Sequence, residues 1–103
     1  MNLGKLIKII RTTKGMTQKG MADLMGISQN YLSLIESSKK TPSLDLLEAC
    51  ATALKISKTA LIFVSLSPPE ELSAKDKRDY ERLQKNILSL LVFDVTGELK
   101  QSA

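Results

Sequence analysis

The chain has 103 residues, of which 25% are charged and 43% hydrophobic, and its formal net charge is +4. A chain of this length has room for one modest core and an accessory element, but not for a second independent fold. It contains no His and one Cys, which excludes a thiolate–imidazole pair, a zinc site and an internal disulfide. Because a glycine-rich phosphate loop is also missing from the sequence, we expect no enzyme, no metal and no cofactor.

The positive charge is concentrated in the first part of the chain. Residues 1–42 contain seven Lys or Arg against two acids, residues 43–72 two against four, and residues 73–103 six against five. A positive surface of this kind suits a polyanionic partner. The lone Cys, the missing signal-peptide core and the lack of a transmembrane-length apolar run predict a cytoplasmic protein that does not enter a membrane.

The first predicted helix covers the segment before the central motif and ends near Lys14-Gly15, where the glycine is a natural stop. Its apolar residues recur three or four positions apart, which indicates an amphipathic helix. These residues are Leu3, Leu6, Ile7 and Ile10. We expect this helix to pack over the motif that follows.

Residues 17–36 predict two short helices joined by a tight turn. Thr17 and Ser28 can each cap a helix by accepting a hydrogen bond from a backbone N–H, and Gly26 between them supplies a left-handed stop. The predicted apolar seam between the two helices consists of Leu24, Ile27, Leu32 and Ile35. At about 100° per residue, the second helix also has a free face that is polar and almost uncharged. The residues that point away on this free face are Asn30, Ser33, Leu34 and Ser37, with Gln29 at its leading edge.

Two further helices follow a loop at residues 37–42. Pro42 ends the loop and Ser43 caps the fourth helix, whose predicted buried stripe is Leu44, Leu47, Cys50, Ala51 and Leu54. The fifth helix is predicted from Lys58 to about Val64 and contributes Leu61, Ile62 and Phe63. Within this pattern Cys50 is a packing residue rather than a reactive one.

This arrangement resembles the helix-turn-helix of the lambda-repressor-like, Cro/CI-type (XRE) family of DNA-binding domains. The resemblance covers roughly Leu6 to Leu61, with R-x-x-K-G-M-T-Q before the turn and P-S-L-x-x-L after it. It implies an all-α fold, a five-helix bundle whose recognition helix, residues 28–36, lies in the major groove of double-stranded DNA. The family usually has a glycine where this chain has Ser38, so the exit from that helix is less determined.

The resemblance also assigns roles to particular residues. Gln29 and Asn30 are the leading base-contacting residues, because their amides can pair bidentately with adenine, and Ser33 and Leu34 are further candidates. The predicted phosphate contacts are Thr17, Gln18, Lys39 and Lys40; the alternative for the two lysines is that they are plain solvated side chains. Arg11 and Glu36 are expected to form an ion pair that ties the first helix to the end of the recognition helix.

The sequence divides into residues 1–66, a proline-containing linker at residues 67–72 and a C-terminal segment, residues 73–103. This segment begins with a capping Ser73 and predicts a helix to about Phe93, with a tail that includes a possible turn at Thr96-Gly97. The helix has one strongly apolar stripe, consisting of Tyr80, Leu83, Ile87, Leu90 and Leu91. The stripe must be covered, either by folding back on the five-helix bundle or, as we expect, by pairing with its copy in a second subunit.

The sequence therefore predicts a sequence-specific transcriptional regulator, a repressor in the simplest case, that binds an inverted-repeat operator as a dimer. Two copies are needed because one short recognition helix contacts only a few base pairs. One alternative is an antitoxin-like, phage-control or restriction-control component whose main partner is another protein, held by the C-terminal helix. The other alternative is a protein-interaction module that has kept the fold without DNA binding.

Overall fold

The computed structural model describes residues 2–96, and this part of the chain consists of six α-helices without a strand. The helices are α1 (Leu3–Thr13), α2 (Gln18–Met25), α3 (Gln29–Glu36), α4 (Leu44–Leu54), α5 (Lys58–Ser65) and α6 (Ala74–Thr96). The predicted all-α class, with five helices and an additional C-terminal one, is confirmed. The predicted turn at Thr96-Gly97 and the tail beyond it lie outside the described residues. No helix within residues 2–96 is long and apolar enough to cross a membrane.

Every described helix begins after a residue whose side-chain oxygen accepts a backbone N–H three residues further on. These residues are Asn2, Thr17, Ser28, Ser43, Ser57 and Ser73. The four caps predicted from the sequence are among them and are confirmed. Gly26 has the left-handed conformation, with φ 71°, and ends α2 as expected. Each cap satisfies one of the N–H groups that a helix leaves unpaired at its start, which determines where the helix begins.

The hydrophobic core lies where α1, α3, α4 and α5 meet under α2 and α6. Its fully buried side chains are Leu6, Ile7, Ile10, Met21, Leu32, Ile35, Cys50, Leu54 and Leu61. The periodic apolar positions predicted for α1 and α3 supply much of this core. The predicted packing role of Cys50 is confirmed by its complete burial.

Two leucines assigned to the core from the sequence are exposed, and those assignments are wrong. Leu24 is 68% exposed because α2 buries Met21 and Ala22, and Leu24 lies about 100° around the helix from the half-buried Met25. Leu44 is 73% exposed although Leu47, one turn later, is buried. Leu44 lies on the predicted buried side of α4, but the first turn of the helix extends past the edge of the core. Leu44 is therefore exposed.

The first turn of α1 packs closely against the end of α3. A Cβ atom built on Gly4 would overlap the backbone carbonyl oxygen of Ile35 and lie 3.0 Å from that of Glu36. Ser38 follows α3 with φ 65°, the left-handed conformation that the resembled family achieves with glycine. Its hydroxyl donates to Oδ1 of Asn2 at 2.7 Å, which fastens the exit of α3 to the start of α1.

The C-terminal helix α6 folds back along α1 and α5. Leu91 is buried in the core, and Ile87 and Leu88 pack against its edge. The structure of the single chain therefore has the first of the two placements weighed for this helix. Leu83 and Leu90, from the same predicted stripe, remain 50% and 52% exposed.

A buried amide holds α6 in this position. Nε2 of Gln84 donates to the carbonyl oxygens of Phe63, at 2.9 Å, and Leu66, at 2.5 Å. These carbonyls lie at the end of α5, where the carbonyl of Phe63 also accepts the backbone N–H of Leu66 at 3.3 Å. One turn earlier, the ring of Tyr80 lies 5.0 Å from the ring of Phe63, measured between centroids. The amide of Gln84 thus joins the end of α5 to the middle of α6.

Candidate nucleic-acid interface

The helices α2 and α3 are joined by Gly26-Ile27-Ser28, and only one side of α3 is buried. Leu32, Ile35 and Glu36 face the protein interior. The opposite side, called here the free face of α3, has two exposed and two half-buried residues. They are Gln29, Asn30, Ser33 and Leu34, which are the four residues predicted to contact bases.

Tyr31 is a further candidate that the sequence analysis missed. It is 37% exposed and lies at the edge of the free face of α3, across from Gln29. Its backbone N–H is used by the Ser28 cap, while the phenol remains accessible to a partner. A helical projection of residues 29–36 contains the signal that identifies it, since Tyr31 lies only about 60° from Leu34 at the margin of the free face.

The predicted ion pair between α1 and α3 is present and buried. Nε of Arg11 lies 2.6 Å from Oε2 of Glu36, and Nη2 lies 3.0 Å from Oε1, so the two groups form a bidentate pair. Nη1 of Arg11 also donates to the carbonyl oxygen of Met16 at 2.7 Å. A bidentate pair of this kind sets the direction of both side chains, and it therefore holds the last turn of α3 against α1.

Gln18, predicted to contact a phosphate, is bound to the same carboxylate. Its Nε2 donates to Oε1 of Glu36 at 3.0 Å, which brings the start of α2 to the end of α3. The hydroxyl of Thr17 accepts from the N–H of Gly20 at 2.9 Å and caps α2. Both side chains thus have structural roles at the place where the sequence analysis expected phosphate contacts. The N–H groups of the first turn of α2 supply a partial positive charge there.

Each of the two acids in residues 1–42 is paired with one basic residue, which leaves the other basic residues of this part of the chain uncompensated. Glu36 is buried and paired with Arg11, and Asp23 lies 3.2 Å from Lys19 on the surface of α2. Within the described residues, the other lysines of this part have no acid within ion-pair distance. They are Lys5, Lys8, Lys14, Lys39 and Lys40, and the last two lie exposed in the loop after α3. Lys39 and Lys40 therefore place positive charge directly after the uncharged free face of α3.

We expect the thiol of Cys50 to be inert in the folded protein. Burial, and to a smaller extent the charge of Glu36, raises its pKa from 9.0 to about 11. The thiolate fraction at pH 8 is then about a hundredfold lower than for an unperturbed thiol, and the group is also shielded from reagents. A thiol-reactive dye should label the native protein at least a hundredfold more slowly than the protein in denaturant. Equal rates in the two states would contradict the buried placement of Cys50.

Two short helices joined by a tight turn, with the second presenting a polar face beside positive charge, define a helix-turn-helix unit. A sequence profile described as a helix-turn-helix matches residues 7–61, which is more than half of the chain. The chain belongs to this family, the XRE-type helix-turn-helix proteins, and is a DNA-binding regulator of transcription.

Of the similar curated proteins, one is matched over nearly the whole chain. The chain is 29% identical to the immunity repressor protein of Bacillus phage phi105 over 102 residues, which are 99% of this chain and 67% of the repressor. It is 37% identical to the uncharacterized HTH-type transcriptional regulator YazB of Bacillus subtilis over 66% of this chain and 91% of that protein. It is also 37% identical to the transcriptional regulator ClgR of Mycobacterium tuberculosis, over 52% of this chain and 48% of ClgR.

Proposed function

We propose that this protein is a sequence-specific repressor that binds an inverted-repeat operator as a dimer, in the cytoplasm of a prokaryotic cell. In this proposal α3, with its cap, occupies the major groove as residues 28–36, and α2 crosses the backbone. The observation that carries the proposal is the free face of α3, which is polar and uncharged while its other side is fixed by the buried Glu36. The likeness to a phage immunity repressor over nearly the whole chain supports repression.

The free face of α3 supplies the base contacts in this proposal. The exposed amides of Gln29 and Asn30 pair with N6 and N7 of adenine, and the half-buried Leu34 packs on a thymine methyl group. Ser33 reaches a base or a phosphate. The contacted positions of the operator are therefore rich in A·T pairs.

The phosphate contacts come from the elements on either side of α3. Lys39 and Lys40, exposed in the loop after α3, contribute charge without reading the sequence. Thr17 and Gln18 place the start of α2 at the backbone, where its N–H groups face a phosphate. Because Gln18 already donates to Glu36, its contact with DNA would use the second amide hydrogen.

The proposed function is tested by selection from a random duplex library with the full chain at near-physiological salt. We expect enrichment of an inverted repeat whose half-sites are about ten base pairs apart. Enrichment of a single half-site would remove the dimer from the proposal and keep the DNA recognition. Weak, salt-sensitive binding without any enrichment would contradict sequence-specific recognition and favour a role that depends on a protein partner.

We expect Asn30→Ala to lose about 1 to 3 kcal/mol of binding free energy on the selected operator, and much less on random DNA. The loss corresponds to roughly five- to 150-fold in affinity. Lys40→Ala is the matched control, because a phosphate contact weakens binding to all sequences alike and reduces the salt dependence by about one charge. Titration of both duplexes by fluorescence anisotropy measures the difference. Equal losses for Asn30→Ala on both duplexes would refute its assignment as a base contact.

A further inference from the structure

The helix α6 is attached to the rest of the molecule through a small number of buried groups. Among residues 74–91, Gln84 and Leu91 are buried, a few others are half-buried, and most are exposed. The helix α1, by contrast, buries five of its 11 residues. The docking of α6 therefore depends on few contacts, and each of them carries a large share of it.

The amide of Gln84 is central among these contacts. Its Nε2 donates to the carbonyl oxygens of Phe63 and Leu66, at 2.9 Å and 2.5 Å, and the side chain is only 9% exposed. The two bonds use both hydrogens of one amide nitrogen, so they form and break together when α6 moves relative to α5. We call this amide, with its two carbonyl partners, the latch of α6.

The polar contacts of the first half of α6 are internal to the helix. The hydroxyl of Ser73 accepts the backbone N–H of Asp76 at 3.1 Å and caps the helix. Asp79 pairs with Lys75 at 3.4 Å and with Arg82 at 3.5 Å. Within residues 2–96, no ion pair joins α6 to another helix. These contacts support α6 equally whether or not it is docked.

The connection between α5 and α6 has no buried side chain. Residues 67–72 are exposed or half-buried, and they include Pro68 and Pro69. The N–H of Leu72 donates to the carbonyl oxygen of Pro69 at 3.3 Å, a bond within the connection itself. A change in the backbone angles of these residues therefore breaks no contact with the bundle.

The innermost part of the core is complete without α6. Its nine fully buried side chains, from Leu6 to Leu61 along the chain, all belong to α1–α5. The C-terminal helix covers the outer sides of α1 and α5, whereas α3 packs on α1 and α2. Separation of α6 thus uncovers part of the bundle and leaves the contacts of the helix-turn-helix unit in place.

We infer that α6 is a strap that opens from the bundle as one unit, with Gln84 as its latch, while α1–α5 keep their fold. Segments with few buried contacts and internally satisfied backbone groups open at a lower free energy than the core does. The chain therefore has one part that changes position while the helix-turn-helix unit stays folded. This inference goes beyond the proposed function and does not depend on it.

The inference is tested by native-state hydrogen exchange of the full chain without DNA, followed residue by residue by NMR. We expect the backbone amides of residues 78–91 to share one protection factor, about tenfold or more below that of the most protected amides of α1 and α4. Equal protection of α6 and α4 would overturn the inference, because the whole chain would then open in a single step.

Ile35→Val separates the opening of α6 from the unfolding of the bundle. It removes one buried methyl group from α3, which weakens the bundle by the same amount whether α6 is open or closed. We expect the protection of α4 to fall roughly two- to tenfold and that of α6 to stay unchanged. An equal fall in both helices would overturn the inference.

Gln84→Met tests the latch, because it keeps the length of the side chain and removes both hydrogen bonds. We expect the protection of α6 to fall about fivefold or more. Asn86→Ala is the matched control, since Asn86 is exposed on the same helix, and it should change the protection of α6 by less than about twofold. Unchanged protection in Gln84→Met, or an equal fall in Asn86→Ala, would overturn the assignment of Gln84 as the latch.

Discussion

Glu36→Ala should lower the free energy of unfolding by about 3 to 5 kcal/mol, because it leaves the guanidinium of Arg11 buried without its carboxylate. It also removes the acceptor of the Gln18 amide. Total stabilities of domains this size are about 5 to 15 kcal/mol, so the variant should be largely unfolded in mild urea. Urea titration followed by circular dichroism measures the change in midpoint.

Two further variants separate the burial of the pair from its charge. The double variant Arg11→Met/Glu36→Leu should recover most of the loss, because replacing both members of a buried pair by apolar residues leaves no unpaired charge. Asp23→Ala, which breaks the exposed pair with Lys19, should change stability by less than about 1 kcal/mol. If Glu36→Ala lowered the free energy of unfolding no more than Asp23→Ala does, the pair of Arg11 and Glu36 would stabilise the fold no more than an exposed ion pair.

Gly4→Ala should destabilise the fold by about 3 kcal/mol, because its methyl group would enter the space of the carbonyl oxygen of Ile35. A flexible side chain could move aside, but this oxygen belongs to the backbone of α3. The first turn of α1 must therefore lift away from the end of the recognition helix. Thermal unfolding measures the loss, and operator binding should fall with it because the orientation of α3 depends on this contact.

Gly20→Ala is the matched control for that prediction. A Cβ on Gly20, which lies in the first part of α2, would meet only the hydroxyl oxygen of Thr17, at 3.0 Å. Replacing a glycine inside a helix stabilises the fold by about 0.5 to 1 kcal/mol, and the close contact with the capping hydroxyl of Thr17 offsets this gain. The stability of this variant should stay within about 1 kcal/mol of wild type. A Gly4→Ala protein as stable as Gly20→Ala would contradict the close approach of α1 and α3.

Features that depend on neighbouring residues were predictable from the sequence. The caps at Thr17, Ser28 and Ser43 and the left-handed Gly26 follow from local chemistry, and the structure has all four. The spacing of apolar residues likewise identified the buried side of α1 and α3. Each of these features needs only a few consecutive residues, and helical geometry supplies the rest.

Features that depend on how helices meet were not predictable in the same way. Leu24 has the side chain of a core residue, and only the angle at which α2 packs decides that it is exposed. Gly4 and Gln84 carry no local signal, because their roles come from α3 and α5, which are distant along the chain. The placement of α6 was likewise open, since an apolar stripe indicates that it must be covered but not what covers it.

The candidate DNA site lies between these two cases. The free face of α3 follows from helical periodicity once the helix is located, and its four predicted residues lie together there. The family resemblance suggested the pair of Arg11 and Glu36, and the structure has it. The bond from Gln18 to the same carboxylate required the structure, because it joins two helices through one oxygen atom.

The buried pair also constrains how this sequence can change over evolutionary time. A lineage that loses Glu36 alone, or Arg11 alone, passes through a protein that has given up several kcal/mol of its stability. A protein in which both residues have been replaced by apolar ones is stable, but a protein with only one replacement is not. The two codons must therefore change nearly together, or after a stabilising change elsewhere. Descendants of this protein should therefore inherit both residues or neither.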